Sequence, residues 1–160
     1  MEQSVLIKKL SSSFWFRLYL MKSLPAAFFS GLKVQSLSTT SATVTIKYSW
    51  FSKNPFRSIY FACLGMAAEM STGILALVHT QHRRPRISML VLNMQASFHK
   101  KAVGNIRFIC EDGDQILRAI ENAISTKEGI TCETTSKGYD DQDRCIAEFT
   151  ITWTFKETSK

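Results

Sequence analysis

Between Ser58 and Gln81 the chain carries one formal charge, Glu69, in a run dominated by Ala, Leu, Met and Ile. A helix that is apolar all round is either the buried centre of a soluble domain or a membrane span. Ile59 to Val78 is 20 residues, long enough to cross a bilayer. Glu69 would then sit at the bilayer centre, at a cost of ~2.5–3.5 kcal/mol, and Gly65, Ser71, Thr72 and Gly73 lower the hydrophobicity further. A buried core helix is therefore expected, with no membrane span. The rest of the chain must wrap it, and the acid inside it needs a partner, a raised pKa or a chemical role.

The wrapping is legible as strands. Ala42, Val44, Ile46, Tyr48 and Trp50 alternate with Thr43, Thr45, Lys47 and Ser49, the period of a half-buried strand. Cys145 to Lys156 repeats that alternation. Ile87 to Phe98 reads as a third strand, apolar on both faces over its first half, which predicts a place in the middle of a sheet. Asn105 to Glu111 and Ile130 to Ser136 complete five strands. Between these last two, Asp112 or Asp114 caps a short helix with an Ile116, Ile120, Ala123, Ile124 face. At the N-terminus, Phe14, Trp15 and Phe16 are followed by Arg17 and Lys22, which break any secretory h-region. An amphipathic helix over Ser13 to Ser23 is expected, then a short turn from Pro25 to Gly31.

Cys63, Cys110, Cys132 and Cys145 are widely separated, with no Cys-x-x-Cys pair and no His at zinc-ligand spacing. Free thiols and a reducing, cytoplasmic location are expected, and no metal. The net charge of +7 includes two clusters, His82-Arg83-Arg84-Pro85-Arg86 and His99-Lys100-Lys101. Neither is interleaved with aromatics or set on a nucleic-acid motif, so a nucleic-acid partner is not expected.

The order strand, long helix, four strands, with an asparagine before the helix and an acid within it, resembles the hotdog fold of acyl-CoA thioesterases. It is most similar to uncharacterised relatives of the phenylacetyl-CoA thioesterases. Asn54 and Glu69 stand at the family's fifteen-residue spacing, and Ser97-Phe98-His99-Lys100-Lys101-Ala102-Val103-Gly104 resembles its strand-end segment. The resemblance implies an α+β domain spanning residues 1–160. A helical extension would occupy 1–30, and a curved antiparallel sheet of about five strands would wrap the central helix over 31–156. A homodimer or a dimer of dimers is implied as well, because pairing two sheets removes an edge and completes a cleft.

By the same resemblance, Glu69 is the expected base or nucleophile and Asn54 orients water or substrate. Ser58, Tyr60, Phe61, Ala62, Gly65 and Thr72 line the substrate. Lys100 and Lys101, with Arg84, meet the CoA phosphates, and no cofactor beyond the CoA thioester itself is needed. The chain departs from the family where His-Gly-Gly is replaced by Tyr60-Phe61-Ala62 and a glycine by Arg57. Large side chains there narrow the approach to the helix amides. A non-catalytic hotdog protein that binds an acyl chain, or a structural, partner-binding homodimer, is therefore the alternative to a thioester hydrolase.

Overall fold

A computed structural model describes residues 2–158. Three helices open the chain: α1 (Glu2–Ser11), α2 (Ser13–Ser23) and α3 (Pro25–Ser30). Pro25 begins α3, where its missing N–H costs nothing, and Gly31 ends it in the left-handed region at φ 80°. The extension thus has three helices where one helix and a turn were expected. The additional one, α1, has weakly patterned polarity that gave no clear periodic signal.

The sheet has six antiparallel strands, not five: β1 (Lys33–Leu37), β2 (Ala42–Lys47), β3 (Arg86–Phe98), β4 (Asn105–Cys110), β5 (Ile130–Tyr139) and β6 (Cys145–Thr158). Their order is β1-β2-β4-β5-β6-β3. β1 is short, mostly exposed and bulged against β2, which is why its sequence reads as a loop. β2 stops at Lys47 rather than Trp50, because Ser52 turns the chain there. Its hydroxyl donates to the Lys47 carbonyl at 2.8 Å and accepts the Ser49 amide at 2.9 Å. Trp50 is left 72% exposed.

Two helices lie on the sheet's inner face. The long one, α4 (Phe61–Thr80), has thirteen buried residues, so the sheet and the smaller helices supply the surroundings its composition demands. The helix is as long and apolar as a membrane span, yet it is the core of the domain. The other, α5 (Gly113–Thr126), buries Ile116, Ala119, Ile120 and Ala123 and ends at Lys127 with φ 60°. Strand packing is tight enough to dictate composition: a Cβ on Gly138 would stand 2.7 Å from the fully buried Phe108 ring.

β3 corrects one expectation. It lies at the sheet edge, paired with β6 alone, and not in the middle. A bulge at Leu92 interrupts its register, so that Met89 and Val91, and then Met94, Ala96 and Phe98, all lie opposite inward-facing β6 residues. Leu90, Leu92, Met94 and Phe98 are nevertheless exposed. The apolarity on both faces that suggested a central strand is real. In a single chain it is uncovered.

Candidate functional site

The loop from Tyr48 to Tyr60 sets the start of α4, and hydrogen bonds hold it rigidly. The Asn54 side chain accepts the amides of Phe56 at 2.9 Å and Ser58 at 3.2 Å, and its Nδ2 donates to Ser58 Oγ at 3.0 Å. Ile59 N–H reaches the Ala102 carbonyl at 2.9 Å, and Tyr60 N–H reaches that of Ser52 at 2.7 Å. Arg57, which stands where the resembled family has a glycine, adopts φ 58°. The backbone thus keeps a left-handed conformation that a non-glycine residue adopts only under constraint, and such residues gather at functional sites.

That loop and the end of β3 enclose a cleft of about 410 Å³, lined by Asn54, Ser58, Tyr60, Phe61, Phe98, Lys100 and Lys101 among others. Tyr60 is the N-cap of α4 and offers no side-chain cap, so the helix's positive end opens toward this cleft. Phe61 is 59% exposed and packs edge-on against Tyr60 at 4.9 Å and Phe98 at 6.4 Å, standing at the cleft mouth. Ala62 beside it is exposed.

Glu69 lies elsewhere on the helix. Ala62, Gly65, Met66, Glu69, Gly73 and Leu77 recur at helical spacing, and none of them is fully buried. They form a stripe of α4 that its surroundings cover incompletely, although it still meets the sheet: a Cβ on Gly73 would stand 3.3 Å from Trp153. Thr72 and Ala76 are fully buried instead, and Thr72 accepts Trp153 Nε1–H at 3.0 Å while donating to the Glu69 carbonyl at 3.0 Å. Thr72 therefore fixes the helix beneath the acid and does not line either opening. At the helix start the cleft is lined by Phe61 and Leu64, beside that stripe. Farther along, α1 and α2 cover it and leave a cavity of about 180 Å³ lined by Glu69, Gly73, Leu10, Phe16, Tyr19 and Met89.

Among the described residues the Glu69 carboxylate has no hydrogen-bond or ion-pair partner. Burial raises its pKa above the ordinary glutamate value of 4.5. The covering by Phe16 and Tyr19 was legible only as aromatics at helical spacing, with nothing to say that they pack on the acid.

The expected site residues thus divide into groups. Asn54, Ser58, Tyr60, Phe61, Lys100 and Lys101 meet in one cleft. Gly65 lies on the open stripe, where an added Cβ would meet Phe149 at 3.7 Å and Met94 at 3.9 Å. Glu69 lies about two turns from the helix start, roughly 10 Å along the axis from Ala62. Arg84 lies with Arg83 and Arg86 beyond the other end of α4, a 20-residue helix of roughly 30 Å, so one chain does not bring it to Lys100 and Lys101. A separate cluster on the sheet's outer face, His99, Cys145 and Glu148, places three potential metal-ligand atoms within 4.8 Å of one another. There Lys137 already holds Glu148 at 2.9 Å.

Residues 16–155 match the model of a family described as a domain of unknown function, DUF4442. No curated protein sequence matches the chain. Among solved structures, a protein of unknown function from Pseudomonas aeruginosa, described as a probable thioesterase, superposes with a TM-score of 0.76 at 20% identity, covering 94% of this chain and 99% of its own. A thioesterase from Haemophilus influenzae gives 0.69 at 8% identity, covering 93% of each chain. A thioesterase from Staphylococcus aureus gives 0.62 at 13% identity, covering 87% of this chain and 98% of its own. Structures of that last protein carry alanine in place of a glutamine or of a glutamate fifteen positions later. The shared architecture is the hotdog fold: a long helix wrapped by an antiparallel sheet.

Proposed function

The chain belongs to the DUF4442 family, and we propose that it is an acyl-thioester hydrolase acting on acyl-CoA-type substrates. The observation that carries this reading is Glu69: a half-buried carboxyl without a partner among the described residues, its pKa raised by burial, on the incompletely covered stripe of the core helix. A carboxylate relieved of hydration and free of ion pairs is placed to activate water or attack a carbonyl directly. The amides at Phe61 and Ala62, at the positive end of α4 and without a partner among the described residues, supply donors for the oxyanion that develops. The glutamine–glutamate spacing of the Staphylococcus aureus thioesterase equals that of Asn54 and Glu69, which supports the assignment.

One geometric fact shapes the proposal. An oxyanion sits ~3 Å from its donors, whereas Glu69 is ~10 Å along the helix from the Ala62 amide. The proposal includes a homodimer joined along the exposed apolar edge of β3, in which the acid and the amide acting on one thioester come from two copies; the axial spacing and that uncovered edge support it. Asn54, its polar atoms engaged by Phe56 and Ser58, is a positioning residue that holds the loop before the helix. Lys100 and Lys101 at the cleft take the CoA phosphates as screened point charges. The free cysteines suit a cytoplasmic enzyme.

The Phe61 side chain at the cleft mouth favours a second reading, an acyl-binding protein without turnover. A panel of acyl-CoA thioesters from short to long chains, with released thiol measured, tests the first. Turnover on part of the panel supports hydrolysis. Saturable binding with no thiol released supports the second reading and overturns the first.

A further inference from the structure

We propose that the α2–α3 face and the neighbouring Trp50–Lys53 loop form a docking site for an anionic lipid bilayer. This inference stands on observations independent of Glu69 and of the thioesterase reading. The side chains are large, apolar and exposed. On α2, Phe14, Leu18 and Met21 share one face by their spacing, and Phe14 is 66% exposed. On the adjoining elements Phe29, Trp50 and Phe51 are exposed as well.

A chain of contacts makes the patch continuous. Arg17, on the same side of α2, lies over the Phe28 ring at 4.6 Å, and Phe28 meets Phe29 at 5.3 Å. Phe29 meets Phe51 at 5.5 Å, Phe51 meets Trp50 at 5.0 Å, and Lys53 lies 5.5 Å from the Trp50 ring. Isolated exposed apolar residues need no explanation, but a connected aromatic surface does.

Charge selects the occupant. From residue 3 to residue 68 there is no Asp or Glu, while Lys8, Lys9, Arg17, Lys22, Lys33, Lys47, Lys53 and Arg57 are all basic. Eleven of the thirteen acids lie from Glu111 onward. The basic half of the chain is therefore the half that carries the aromatic surface. Trp and Phe seated at headgroup depth, with Lys and Arg around them, are the combination that binds an interface rich in anionic lipid. A second copy of the chain would present the same positive field and be repelled.

The three tryptophans make the test direct, since Trp15 and Trp50 are exposed while Trp153 is 4% exposed in the core. The full chain is mixed with vesicles of phosphatidylcholine alone or of phosphatidylcholine with phosphatidylglycerol in equal parts. Tryptophan emission and pelleting with the vesicles are both followed. The expected result is a blue shift and pelleting with the anionic vesicles, weakened by salt, and at least ~tenfold weaker binding to phosphatidylcholine alone. Lys22→Glu with Lys53→Glu lowers anionic-vesicle binding at least ~tenfold, and Trp50→Ser with Phe51→Ser does so while removing most of the blue shift. All four positions are exposed, so circular dichroism stays unchanged. Absence of pelleting at low salt overturns the proposal. So does a pair of serine substitutions that changes the sedimentation mass while vesicle binding stays the same, which would make this face a contact between copies.

Discussion

Replacing Glu69 by Gln keeps its volume but removes its charge, and the consequence for stability is fixed by what surrounds it. Burial is the cause of the raised pKa, with Phe16, Tyr19 and Met89 over the cavity and, among the described residues, no cation to offset it. The sign then follows. Above pH 4.5 the unfolded chain releases the Glu69 proton while the folded chain still holds it, so the native state binds one proton more. Stability contributed by the neutral acid is complete below the unfolded pKa and is lost as pH rises through the folded one.

The limiting slope for one proton is ~1.4 kcal/mol per pH unit, and for a domain of this size each such step moves Tm by roughly 3–6 °C. Glu69→Gln has no such slope. Its Tm minus that of the parent is therefore expected to increase from pH 4 upward, then level off once the folded carboxyl is ionised. Calorimetry on both proteins across that range, taken as a difference, cancels every other titrating group. A difference that is flat with pH would refute the claim that the acid is desolvated and unpaired. A difference that turns against the glutamine as pH rises would mean that the carboxylate is held by a favourable partner.

Three further outcomes are expected. Lys100→Glu with Lys101→Glu raises KM for CoA thioesters several-fold, more so at low salt, and leaves kcat and the reaction of a short thioester lacking the nucleotide nearly unchanged. Steady-state kinetics with both substrates checks this. Asn54→Ala frees the amides of Phe56 and Ser58 and costs ~1–2 kcal/mol, lowering Tm by roughly 2–8 °C in calorimetry, because the loop before α4 loses its internal acceptor. Sedimentation equilibrium is expected to find a dimer that Leu92→Glu, on the exposed β3 edge, converts to monomer.

Much of the architecture was legible because burial imposes strict periods. The alternation of β6 and the uniform apolarity of α4 each report a wrapped environment directly, and the two together imply a sheet around a helix. β1 and α1 escaped because they are partly exposed, which leaves composition little to encode. β3 misled for a physical reason: an edge strand that exposes Leu90 and Leu92 on its outer face reads like a central strand. Within the candidate site, the spacing of Asn54 and Glu69 pointed to the long core helix and to the loop that precedes it. What it did not convey is that Asn54 spends its hydrogen bonds on its own loop. The axial distance between the helix start and the acid emerges only from helical rise. Arg57 carries its information in φ, which a sequence shows for glycine but hides for arginine.

The central claim is that the Glu69 carboxylate performs thioester hydrolysis, and the direct measurement is kcat of Glu69→Gln on the best acyl-CoA of the panel, at a pH where the parent acid is ionised. The account predicts a fall of at least about a hundredfold with a folded, still dimeric protein. Turnover equal to the parent's, in a variant shown to be folded, would contradict it.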